Sequence, residues 1–125
     1  MGTVALGKHN FEEVVSSNSI VLVDFWAAWC GPCRGFAPVF EQASQAHSDI
    51  VFGKVDTQAE PELTGGFGIM SVPTLMAFRD QVLVYAEPGA VPAAMLEDLI
   101  AKVKELDMGE VRRDIAERDA VAARQ

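Results

Sequence analysis

Apolar residues come in short blocks separated by polar turns, and the spacing within each block predicts its structure. Thr3-Val4-Ala5-Leu6 is a short strand. Phe11, Val14 and Val15 share one helical face behind Asn10, an expected helix cap with Glu13 in position to reciprocate. Ser16-Ser17-Asn18-Ser19 ends that helix. Ile20 to Trp26 is almost unbroken apolar sequence rich in β-branched residues, the pattern of a central strand covered on both faces. A helix then opens near Cys30-Gly31-Pro32-Cys33 and runs to about His47. Pro32 is tolerated in its first turn, whereas Pro38 lies deeper and is expected to kink it. Ile50 to Asp56 reads as the next strand, Glu60-Pro61-Glu62 as the start of a short helix broken by Gly65-Gly66, and Thr74 to Phe78 as a further strand. Asp80-Gln81 turns the chain into Val82-Leu83-Val84-Tyr85 as a hairpin. Pro92 begins an amphipathic helix with Met95, Leu96, Leu99, Ile100 and Val103 expected on its buried side.

The order is βαβαβαββα. Strands alternating with helices, closed by a hairpin, predict an α/β fold with a mixed central sheet and helices on both faces. The 125 residues suit one domain, placed at 1–105. Residues 106–125 differ: only Val111, Ile115 and Val121 are sizeable apolar groups after Met108, so this charged extension is expected to be helical or disordered.

Charge changes the picture by exclusion. Residues 1–105 carry 6 basic against 13 acidic side chains and residues 106–125 carry 4 against 5, for a net charge of −8. No basic face is visible, which argues against nucleic acid, and an acidic body disfavours anionic membranes. Met1 to Asn10 has one lysine and no apolar stretch of signal-peptide length, so the cytoplasm is the expected compartment.

The chemistry concentrates in Val23 to Cys33, which holds both cysteines, both tryptophans and an aspartate set in an apolar run. Two cysteines are too few for a disulfide-stapled secreted scaffold, and Cys-x-x-Cys reads as redox or metal chemistry. A structural zinc site needs four ligands, and His9 and His47 have no metal spacing. At a helix start, Cys30 is expected to be the exposed, thiolate-favouring cysteine, with Cys33 one turn on and facing inward. Cys30 would attack a target disulfide, and Cys33 would resolve the mixed disulfide. Asp24 is the candidate base for Cys33, directly or through one water. Its bland alternative is an edge-strand aspartate facing water. Lys54, set among Val51, Phe52 and Val55, is expected beside Asp24 on a neighbouring strand as a buried partner. Trp29 is as readily a packing residue as a target-facing one. Pro73, before a strand, is ordinarily trans.

Trp29-Cys30-Gly31-Pro32-Cys33 following Val23-Asp24-Phe25-Trp26-Ala27 resembles the thioredoxin family over about residues 4–105. The resemblance implies Cys30 as attacking thiol, Cys33 as resolving thiol, and Asp24 with Lys54 as the buried acid and its neighbour. It implies a cis Pro73 and a shallow apolar groove of Trp29, Gly31, Pro32, Val72, Pro73 and Gly89. It further implies a monomer that reduces disulfide-containing target proteins and binds no cofactor. Recharging would fall to thioredoxin reductase, to which the NADPH and FAD belong. The sequence departs from the family pattern at the Asp80-Gln81 turn, at Gly35 inside the helix, and at Glu87-Pro88 before Gly89. The extension has no counterpart in short members. Two other uses stay open: an oxidase or isomerase, against which Pro32 stands where those families usually carry histidine, and a non-catalytic binding subunit.

Overall fold

A computed structural model describes residues 2–124. Five strands form one sheet: β1 (Thr3–Ala5), β2 (Ile20–Trp26), β3 (Val51–Asp56), β4 (Thr74–Arg79) and β5 (Val82–Pro88), in the spatial order β1-β3-β2-β4-β5. β2 is central, parallel to β3 and antiparallel to β4. All of β2 except Trp26 is buried, as its continuous apolar run predicts.

Alternation along β2 divides the core. Ile20 and Leu22 face one layer, where α2 (Gly31–Ala46) contributes Phe36, Phe40 and Ala43, and α4 (Ala93–Glu105) contributes Leu96, Ile100 and Val103. Val21, Val23 and Phe25 face the other, with Phe11 and Val15 of α1 (Phe11–Ser17) and Leu63 of α3 (Pro61–Gly66) packed there. Phe67, just past α3, packs in tilted and edge-on contacts at ring-centroid distances of 5.2, 5.9 and 6.2 Å against Phe11, Phe25 and Phe78. That cluster fixes the chain entering the Ile69–Pro73 loop. Gly53 lets Leu6 cross β3 closely, since a Cβ there would strike the Leu6 side chain.

Several local expectations are corrected. Asn10 precedes α1 but makes no side-chain cap. Its carboxamide instead accepts from Gly7 N–H (2.8 Å) and donates to the Ala5 carbonyl (3.0 Å), tying down the loop after β1. Met95 is 59% exposed rather than buried. α4 packs through Leu96, Ile100 and Val103, and Met95 lies near Val84 and Tyr85 of β5, an edge strand that no further strand among the described residues covers. The Asp80-Gln81 turn, by contrast, is the two-residue turn expected, and both residues stand at positive φ, 50° and 72°. Ser19 O accepts from Asp80 N–H at 2.8 Å and holds the turn in place.

α2 runs on through Pro38, which leaves the Arg34 carbonyl without its usual helical donor. Residues 108–123 form a helix, α5 (Met108–Ala123), capped by the Asp107 carboxylate on Glu110 N–H at 3.1 Å. Met108 is buried and Arg112 donates to the Asp80 carbonyl at 3.1 Å, while the rest of α5 is largely exposed.

Candidate active site

The site lies where β2 ends and α2 begins. Thr57 locks this junction, donating both its N–H (2.9 Å) and its hydroxyl (3.0 Å) to the Trp26 carbonyl. Cys30 is the N-cap of α2, Gly31 and Pro32 form its first positions, and Cys33 follows in the first turn. Cys30 and Cys33 form a disulfide with Cα atoms 5.3 Å apart. The Cys33 N–H points at Cys30 Sγ at 3.1 Å. Free amides and the positive end of the helix dipole therefore converge on that sulfur and favour its thiolate once the bond is opened. Arg34 adds positive charge at the same end, folding back over Gly31 to donate to the Ala28 carbonyl at 2.8 Å.

Across from the disulfide, Val72–Pro73 is a cis peptide. The Val72 carbonyl oxygen sits 3.6 Å from Cys30 Sγ. Pro73 is buried and its carbonyl accepts from Gly89 N–H at 2.8 Å, with Gly89 at a φ of 108°. One hydrogen bond thus joins two segments of the expected groove. Trp29 is 68% exposed, and Gly31, Pro32 and Gly89 are exposed beside it. Cys30 itself is only 3% exposed, like Cys33, which corrects the expectation of an open thiol. The Val72 loop packs over it, a tertiary contact that local sequence does not encode.

Asp24 is fully buried, and neither carboxyl oxygen has a hydrogen-bond partner among the described residues. It shares the α2 face of β2 with Leu22, beneath the helix that begins at the dithiol. Burial pushes its carboxyl up to about 6, opposed by the charge of Lys54. Lys54 is its register neighbour on β3 but forms no ion pair with it among the described residues. Its ammonium lies 5.3 Å from the centre of the Trp26 ring, where the π face accommodates the cation.

Four of the residues around the dithiol were missed from sequence: Arg34, Thr57, Thr64 and Met70. Met70 is 95% exposed, and an apolar residue held in water after Gly68 was the one available signal. A group of His, Cys, Asp and Glu able to hold a metal is absent among the described residues.

A fold of this kind presenting a reversible sulfur pair at a helix start moves two electrons at a time, and so defines a thiol–disulfide oxidoreductase. The family model "Thioredoxin" matches residues 2–102. The chain is 57% identical over 120 residues to "Putative thioredoxin 2" of Streptomyces coelicolor, covering 96% of this chain and 90% of that protein. It is 44% identical over 102 residues to "Thioredoxin" of Alicyclobacillus acidocaldarius, covering 81% and 97%. Among solved structures, a mutant thioredoxin from Halobacterium salinarum superposes with a TM-score of 0.76 at 35% identity, covering 83% of this chain and 91% of the other. The chain belongs to the thioredoxin family, whose activity is protein-disulfide reduction.

Proposed function

We infer that Cys30 is the attacking thiolate, Cys33 the resolving thiol, and Asp24 the group that takes the Cys33 proton. The carrying observation is the Cys33 amide aimed at Cys30 Sγ at the start of α2. A target disulfide accepts the Cys30 thiolate and releases one of its own thiolates. Cys33, deprotonated toward Asp24, then attacks Cys30, expels the second target thiolate and closes the Cys30–Cys33 bond. The target gains two electrons and the dithiol loses two. Lys54 tunes Asp24 through its charge.

Trp29, Gly31, Pro32, Val72, Pro73 and Gly89 form the target groove, with the Val72 backbone offered to an extended segment. Two electrons return from an NADPH-dependent flavoprotein, thioredoxin reductase, which carries the NADPH and FAD; this chain holds no cofactor. The cytoplasm is the working compartment and the monomer the working form. Residues 1–105 constitute the catalytic domain, with α5 as an appended helix. The family match supports the reductase and the target class, and no described helix is long and apolar enough to cross a membrane.

Insulin reduction by dithiothreitol tests the activity: catalysis well above the thiol background is expected, and its absence would refute the reading. Roles separate in single variants. Cys33→Ser should accumulate mixed disulfides with targets, and Cys30→Ser should accumulate none; the opposite pattern reverses the assignment. Turnover with NADPH and thioredoxin reductase tests the recharging partner.

A further inference from the structure

Two helix faces outside the dithiol site are left uncovered, and they match. One borders a hollow of about 340 Å³ between α4 and the edge strand β5. Met95, Asp98, Lys102 and Leu106 follow one another along α4 there, facing Val84 and Tyr85 of β5 across the hollow. The other face is on α5, where Asp114, Arg118 and Val121 form a stripe that Val111 extends toward the helix start. Val121 is 44% exposed. Asp98 and Lys102 pair with each other at 2.9 Å on the exposed surface, a contact of small worth that can change partners. Asp114 and Arg118 make no ion pair among the described residues.

Laid antiparallel, the two faces fall into register: Met95 against Val121, Asp98 against Arg118, Lys102 against Asp114, and Leu106 against Val111. The steps are 3, 4 and 4 residues along α4 and 3, 4 and 3 along α5, each about one helical turn. Two apolar pairs close the ends, and two pairs of opposite charge lie between them. Within one chain the faces do not meet. Every described α5 residue after Val111 is exposed, and Arg112 is held by the Asp80 carbonyl. We propose that α5 of a second copy lies antiparallel along α4 and covers the edge of β5, with the same contact made in return, so that the two copies form a two-fold dimer. A reciprocal contact of this kind closes on itself and doubles the matched pairs. A covering helix is also a usual way to protect an open sheet edge. Each copy carries a charge of −8, but residues 106–125 hold 4 basic and 5 acidic side chains, so α5 adds little repulsion. No residue of the dithiol site lines either face, which leaves the monomer as the catalytic unit.

The test is sedimentation of the oxidised full chain, whose cysteines are closed on each other and cannot link two copies. Between about 10 μM and about 1 mM, the range of a weak interface, the mass should rise from 13.5 kDa toward twice that value. Asp98→Arg and Arg118→Asp should each stay monomeric over the same range, because like charges then meet at both contacts. An equal mixture of the two variants should recover the dimer, since opposite charges face each other again at both contacts. Only pairing between copies gives that recovery. A wild type that stays monomeric, with α5 on its own α4 or in water, overturns the dimer. So does a dimer unchanged in the single variants, or a mixture that stays monomeric. Should a charge variant not fold, Met95→Glu sets a carboxylate against Val121 and should abolish the dimer by itself; its persistence overturns the interface. Dimer formation is independent of the reductase reading, and insulin reduction per dithiol should not change as the dimer forms. A rate that falls would put the dithiol in the interface and overturn this assignment of faces.

Discussion

Asp24 shows what a single side chain costs this fold. Its carboxyl is held at about 6, above the ordinary 3.8, by burial. The unfolded chain ionises first as pH rises, so between about pH 4 and 6 the folded state binds the extra proton and stability falls. The loss is complete above pH 6 and amounts to about 3 kcal/mol at 1.36 kcal/mol per pH unit. Asp24→Asn should therefore raise stability at pH 7 by about that much and give no gain below pH 4, as urea melts across pH would read. The same variant should slow release of the mixed disulfide and remove an inflection near pH 6 from that step. A pH-independent stability change would contradict this account. Gly53→Ala should destabilise by about 1–3 kcal/mol in the same melts, because buried Leu6 must be displaced. At this scale the sequence disclosed Asp24, because a charge inside an apolar run is conspicuous. It did not disclose Thr57, since a threonine just past a strand is ordinary and its two bonds to the Trp26 carbonyl exist only in three dimensions. The cover over Cys30 was hidden for the same reason: Val72 is 42 residues away.

Among the elements, α2 carries a weakness that its surroundings do not require. Gly35 is exposed, and a Cβ there meets nothing within 4 Å. Gly35→Ala should stabilise the protein by about 1 kcal/mol, read as a rise in Tm with activity retained. The hairpin turn is a second such place. Gln81 holds a φ of 72°, which an ordinary side chain adopts at a cost and glycine adopts freely. Gln81→Gly should gain about 1 kcal/mol; a loss would mean that the long Gln81 contact to the Ser16 carbonyl (3.4 Å) outweighs the backbone cost. Element type was legible throughout because period separates strands from helices in this chain. Side-chain placement at element margins was not. Met95 sits one step off the Leu96–Ile100–Val103 line, and only the knowledge that β5 is an edge strand puts it in water. Asn10 likewise had a helix end and a loop to serve, and the loop after β1 won.

For the whole molecule, the open matter is how far α5 belongs to it. Arg79 donates to the Val103, Lys104 and Leu106 carbonyls at 2.7, 3.2 and 3.3 Å, closing the end of α4 without any help from α5. Met108 and Arg112 are the described attachments beyond that point. A chain ending at residue 106 should fold, lose about 2 kcal/mol and keep its disulfide-reductase rate. Loss of the fold would make α5 part of the domain. The Streptomyces coelicolor match covers 96% of the chain, so most of the stretch after residue 105 aligns with that relative. Thin apolar content is why the extension was ambiguous from sequence: Val111 and Ile115 license a helix but not a docked one.

One consequence follows from the spacing of the two cysteines. Residues three apart in any α-helix lie about 5 Å from each other, and here the linked pair stands at 5.3 Å. The helix supplies that spacing whether or not the sulfurs are joined, so opening the ring asks nothing of the main chain. An incoming donor and a waiting acceptor thus meet nearly the same outline. What steers the traffic between them is the relative pull of each protein on electrons, with shape deciding only who is admitted.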